Sequence, residues 1–172
     1  MGENFITDYI TGQKVPNVGA EANRQAIERY LVEEKGFRKQ DIQVNAPIRM
    51  QIRDQADRSY VDLVISMDGR KLMVIKCAPG SLGSRERETI AAARLLDVNQ
   101  IPLALVSDGK SAILSDVANG RKVGEGMAAI PSRRELSNNF KEVTLEPITG
   151  ERREREKLIF RSYDSMNVNV IR

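Results

Sequence analysis

The apolar positions of this chain change period several times, and each change predicts an element. Between Ile42 and Ile52 they fall on every second residue (Ile42, Val44, Ala46, Ile48, Met50, Ile52), the spacing of a strand with one buried face. Pro47 within that run favours an edge or a bulge, because proline donates no ladder hydrogen bond. Asp54 to Arg58 reads as a polar turn and Tyr60 to Met67 as the next strand. Asp68-Gly69 forms a tight turn, and Lys71 to Cys77 is the antiparallel partner. Leu72-Met73-Val74-Ile75 does not alternate, so this strand is expected at the centre of a sheet, covered on both faces.

Helical spacing brackets these strands. Ala26, Ile27, Tyr30 and Leu31 mark a helix from about Ala20 to Lys35, stopped by Gly36, with Phe37 folding back on it. Ser84 is expected to cap a second helix through about Asp97, rich in alanine and leucine. Ile101 to Val106 reads as a third core strand, and Asp108-Gly109 turns it into a short strand, Ser111 to Asp116. Strand, helix, strand around Gly83 implies a crossover, hence an α/β fold with a mixed central sheet flanked by helices.

Later segments are less regular. From Asn119-Gly120 to Pro131 the chain is polar and glycine-rich, and no element is assigned. Gly124-Glu125-Gly126 lacks the lysine-serine pair and the strand-to-helix context of a phosphate loop. Ser132 to Phe140 reads as a short helix and Glu151 to Tyr163 as a longer one, whose alternating charges suit a solvated face. The expected organisation is an arm at 1–19, an α/β core at 20–131, and a C-terminal helical extension at 132–172 packed on that core.

Composition narrows the chemistry. A chain of 172 residues is enough for one domain with a real core. There is no histidine, which excludes imidazole catalysis and histidine-containing zinc sites. Cys77 is the only cysteine, so no intrachain disulfide forms and a reducing compartment fits. No stretch approaches the roughly 18 apolar residues of a membrane span, and Met1 to Gln13 is too polar for a signal peptide. A cytoplasmic protein with no membrane partner is the expectation. The formal charge of +3 permits contact with a polyanion without requiring it, and the low aromatic content (5%) argues against a base-stacking platform.

Two charged residues break otherwise apolar strands. Asp62 interrupts Tyr60 to Ile65, and Lys76 ends Met73-Val74-Ile75. Each is costly there unless paired, solvated in a cleft or bound to a metal. The Asp68-Gly69 turn folds the two strands together and brings Asp62 opposite Lys76 or its neighbour. A structural ion pair accounts for that arrangement. So does a hydrolytic site, in which Asp62 binds a divalent metal and Lys76 positions a water or stabilises phosphoryl charge. Cys77 reads as a buried small hydrophobe, since no histidine or acid orients it as a nucleophile.

The chain resembles the N-terminal nuclease-like domain of type I restriction enzyme R subunits, a branch of the PD-(D/E)xK superfamily. The resemblance is carried by Ala20-Glu21-Ala22-Asn23-Arg24-Gln25, Tyr60-Val61-Asp62-Leu63-Val64-Ile65, Val74-Ile75-Lys76-Cys77-Ala78-Pro79-Gly80 and Val106-Ser107-Asp108-Gly109-Lys110. It implies a restriction-endonuclease-like core and Mg²⁺- or Mn²⁺-dependent cleavage of DNA. Asp62 would be the metal-binding aspartate and Lys76 the motif lysine. Glu21 would be the first-helix acid, and the Ile75 carbonyl a further metal ligand. Arg24, one turn after Glu21, would contact phosphate or serve an intrahelical or surface role. Independently of the resemblance, Arg85, Arg87 and Arg94 have two readings, contact with phosphate or balance of the neighbouring Glu86 and Glu88.

One position departs from the family pattern. The second acid should stand two residues before the lysine, where this chain has Val74. Either the acid has moved to the following helix, with Glu88 the better placed and Glu86 the alternative, or cleavage has been lost and a surface for DNA or a protein remains. A metal is therefore expected only if another acid replaces the one missing at Val74. DNA is the implied partner. The need to span a duplex leaves room for a homodimer or for a protein that supplies targeting.

Overall fold

The computed structural model describes Gly2 and residues 4–167. Strands β1 (Phe5–Thr7) and β2 (Lys14–Pro16) form a small antiparallel hairpin, followed by helix α1 (Glu21–Glu33). The main sheet comprises β3 (Ile42–Ile52), β4 (Gln55–Met67), β5 (Arg70–Cys77), β6 (Leu103–Ser107), β7 (Ala112–Asp116) and β8 (Arg121–Glu125), in that spatial order. Helix α2 (Glu86–Leu95) lies between β5 and β6 in the chain, while α3 (Arg133–Phe140) and α4 (Gly150–Asn167) follow the last strand. Strands β5 and β6 are parallel and the other neighbouring pairs antiparallel. Parallel neighbours need a crossover, and α2 supplies it. The protein is an α/β fold with a mixed central sheet flanked by helices.

The core lies in two layers, one on each side of the sheet. Ile75 and Cys77 of β5 join Ile27 and Leu31 of α1 on one side. Val74 faces the other, with Ile90 and Ala91 of α2 and Phe160 of α4. Burial on both faces explains the unalternating sequence of β5. In β3 the apolar face changes layer partway along. Val44 packs with the α1 layer, whereas Ala46, Ile48, Met50 and Ile52 belong to the α2–α4 layer. Asn45 between them has a left-handed backbone (φ 53), a conformation that asparagine tolerates better than most residues, and the switch occurs there. Pro47 lies two residues on, in the edge strand.

Several elements differ from the sequence expectation. The turn before β4 is confined to Arg53-Asp54, and β4 begins at Gln55 instead of after Arg58. Gln55, Ala56 and Arg58 are exposed, so this stretch lacks the apolar residues that would have marked it as strand. Residues 121–125, given no element, form β8, in which Gly124 leaves room for Ala129. A Cβ on Gly124 would stand 2.8 Å from that of Ala129. Ser84 does not cap α2. It sits in a 3₁₀ turn, Gly83–Arg85, and its hydroxyl donates to the Ser81 carbonyl at 2.9 Å. Ser132 does cap α3, with Glu135 completing a capping box.

The charged run opening α4 is not wholly solvated. Glu156 is buried and accepts paired hydrogen bonds from Arg87 (2.8 and 2.6 Å) and one from Arg94 (2.8 Å) of α2. A single fully engaged carboxylate thereby fastens α4 to α2. Among the described residues, no helix is long and apolar enough to cross a membrane.

Candidate functional site

Asp62 and Lys76 meet because of strand register. Leu63 pairs with Ile75, so the next positions outward, Asp62 and Lys76, lie side by side at the end remote from the Asp68-Gly69 turn. The Cys77 backbone N–H donates to Asp62 Oδ2 at 2.8 Å, and Lys76 Nζ lies 3.9 Å from the same oxygen. Helix α2 brings Glu88 to the other side of the lysine, with Oε1 at 3.7 Å from Nζ. Arg85 Nη1 lies 3.2 Å from Glu88 Oε2. Two carboxylates and two cations thus balance one another. Glu88 is buried, whereas Asp62 and Lys76 keep partial access to water. Such access lowers the desolvation cost of an ion pair at a strand end.

Glu88 points inward because it opens the same face of α2 that carries Ala92. A narrow cleft there is lined by Tyr60, Val74, Lys76, Glu88 and Ala92. Val74 therefore shares the cleft with Lys76 two residues on, as alternation along a strand requires. A carboxylate at that position would have faced Glu88. The valine packs against the α2 layer instead.

The remaining candidates are distributed differently. Glu21 stays on α1, where Arg24 Nε (3.0 Å) and Gln25 Nε2 (2.9 Å) donate to its Oε1. Ile75 is fully buried between Leu63 of β4 and Leu105 of β6. Arg24 is buried, 3.2 Å from Asp8, and donates to Asn45 Oδ1 at 3.3 Å. Arg87 is committed to Glu156 and Arg85 contacts Glu88. The fold thus assembles Asp62, Lys76 and Glu88, and places Glu21 in a separate group. Among the described residues, no three His, Cys, Asp or Glu side chains are grouped so as to hold a metal ion.

That separate group went unrecognised in the sequence. Asp8 Oδ1 accepts the backbone N–H groups of Ile10 (2.9 Å) and Thr11 (2.8 Å), and Oδ2 accepts from Gln25 Nε2 at 3.1 Å. Burial pushes the Asp8 carboxyl upward, but the Thr11 amide, the Gln25 side chain and the Arg24 charge together bring it below its ordinary range. Glu28 lies on α1, fully buried, and neither carboxylate oxygen has a hydrogen-bond donor. Burial, reinforced by the charge of Asp8 and opposed by Arg24, raises it to about 8. The protonated acid can donate toward Asp8, which removes the conflict between two acceptors. The available signal was Glu28 beside Ile27 on the buried face of α1. Spacing alone gave it no partner, because Asp8 arrives from a hairpin 20 residues earlier.

The Asp108-Gly109-Lys110 motif is a structural turn. Asp108 Oδ1 accepts from the backbone of Lys110 (2.9 Å) and Ser111 (2.7 Å), and Gly109 (φ 89) abuts α1, where an added Cβ would lie 3.0 Å from that of Ala26. Cys77 is buried, and desolvation, with the Asp62 charge, holds its thiol well above the usual range. The nucleophilic thiolate is therefore disfavoured.

Fold and site together define a small α/β domain in which a strand aspartate, a strand lysine and a helix glutamate converge at one end of a mixed sheet. A family model described as type I restriction enzyme R protein N terminus matches residues 19–131, well over half of the chain, and the chain belongs to that family. Neither the curated proteins nor the solved structures provide a match.

Proposed function

We propose that this protein is a nuclease-fold module that binds DNA without cutting it. The observation carrying this reading is the Lys76 ammonium, 3.9 Å from Asp62 and 3.7 Å from Glu88. Both acids already neutralise a cation, and Glu88 also holds Arg85. Mg²⁺ requires about six oxygen ligands at roughly 2.0–2.1 Å. Val74 supplies no oxygen where the family pattern expects the second acid, and the donor set that is left fits such an ion poorly. Membership of the R protein N terminus family supports DNA as the ligand, since restriction enzymes act on DNA.

The test combines binding and cleavage. Fluorescence anisotropy with a labelled duplex should show affinity that falls steeply with potassium chloride, as phosphate contacts demand. Supercoiled plasmid and single-stranded DNA incubated with Mg²⁺ or Mn²⁺ should stay intact. Metal-dependent nicking that vanishes in Asp62→Ala would overturn the non-cleaving half. Absence of any salt-dependent binding would overturn the DNA half and favour a protein partner.

A second reading has one observation in its favour. Glu88 reaches Lys76 from the following helix, where an acid relocated from position 74 would be expected. Retained endonuclease activity predicts Mg²⁺- or Mn²⁺-dependent cleavage lost in Asp62→Ala, Lys76→Ala and Glu88→Gln.

A further inference from the structure

We infer that the outer face of the β3–β4 ribbon is the surface that meets the phosphate backbone of duplex DNA, with Arg49 and Arg58 as its central contacts. This inference rests on the DNA-binding reading and locates the contact away from the Asp62–Lys76 cleft. Beyond the Leu63–Ile75 pair, β4 leaves β5 and continues with β3 alone, from Ala46 opposite Val61 to Ile52 opposite Gln55. At ~3.4 Å per residue this two-stranded extension is roughly 20 Å long.

Its two faces differ sharply. The inner face carries Ile48, Met50 and Val61 into the layer formed with α2 and α4. Lys157 of α4 donates to the Gln51 carbonyl at 2.9 Å and fastens the ribbon from the side. The outer face is thus held in place before any ligand arrives, which lowers the ordering cost of binding.

On that outer face Arg49 stands directly opposite Arg58, and both are exposed. Like charges in directly opposed positions destabilise a strand pair. Among the described residues, no carboxylate forms a salt bridge with Arg49, Arg58 or the tip residue Arg53. The acids closest in sequence are Asp54 at the tip and Asp57, which alternates to the other face of β4, while Glu154 of α4 is held by Lys157. The Arg58 guanidinium lies 5.4 Å from the centroid of the Tyr60 ring, which is itself 43% exposed.

An anionic polymer resolves this arrangement. Adjacent guanidiniums can each take a phosphate through paired hydrogen bonds and relieve their mutual repulsion. Tyr60 and the opposing Pro47 are too small an apolar patch to anchor a membrane or a hydrophobic protein face. Charge therefore selects the partner. By contrast, Arg24, Arg87 and Arg94 spend their charge on internal carboxylates.

The experiment measures duplex binding by anisotropy over a series of potassium chloride concentrations. It uses the full chain, the double variant Arg49→Ala/Arg58→Ala, and a control of equal charge loss, Lys110→Ala/Arg121→Ala. Thermal melts confirm that all three fold. The ribbon variant should bind about tenfold or more weakly, with a log–log salt slope shallower by about 2. The control should keep the wild-type slope, and Arg49→Lys/Arg58→Lys should recover most of it. Wild-type affinity and slope in the ribbon variant would overturn this inference and leave DNA binding intact. Equal losses in ribbon variant and control would also overturn it, pointing to net charge alone. Failure of the unmodified protein to bind duplex DNA would remove the parent reading and this one together.

Discussion

Lys76 stands 3.7 Å from Glu88, a lysine on a central strand answering a buried glutamate on the crossover helix. Asp62 completes the arrangement at 3.9 Å. Removing the cation leaves Glu88 buried with one fewer counter-charge. Lys76→Met should therefore destabilise the protein by about 1–3 kcal/mol in urea denaturation. Lys76→Met/Glu88→Gln should recover part of that loss. Strict additivity of the two single variants would show that the pair is not energetically coupled.

Glu28 makes stability depend on pH. Its carboxyl holds a proton up to about 8 in the folded protein, against an ordinary value of 4.5. Between those values the folded state binds more protons than the unfolded state, so stability falls as pH rises. Asp8 acts in the opposite sense, because its lowered folded value stabilises the protein above about 3.8 and that contribution is lost in acid. Glu28→Gln keeps a donor for Asp8 without a proton to lose. Relative to the parent, it should gain on the order of a few kcal/mol by pH 8 and little near pH 5. Parallel stability profiles of the two proteins from pH 5 to 8 would rule this out.

Glu156 joins α4 to α2 through Arg87 and Arg94. Glu156→Ala strands Arg94 in a buried position and should cost about 3 kcal/mol. Arg87→Ala should cost less, since Arg87 is more exposed and Arg94 still holds the carboxylate. Thermal unfolding of both variants checks the order, and a larger loss for Arg87→Ala would contradict it.

Gly124 is required by packing. A methyl group there would collide with Ala129 at 2.8 Å, so Gly124→Ala should destabilise the protein by roughly 1–3 kcal/mol. Combining it with Ala129→Gly removes the opposing methyl and should restore most of the loss. If the double variant were less stable than Gly124→Ala alone, another contact would be responsible.

Periodicity in the sequence was enough to specify the central strands, α1, the crossover and therefore the mixed sheet, because burial of one or both faces leaves its mark on every residue of a strand. The Asp62–Lys76 pairing was legible for the same reason. A tight turn fixes register, and register places side chains. What lay beyond local pattern needed the fold. Gln55 to Arg58 hid a strand because its residues are mostly exposed. Glu156 looked solvated until α2 supplied two arginines, and Glu28 had no visible partner until the hairpin delivered Asp8. Glu88 could be assigned an inward face from helical spacing, but its distance to Lys76 depended on how α2 lies across the sheet. Alternation along a chain records which face is buried. The identity of the charge that waits on that face is set by elements far away in sequence.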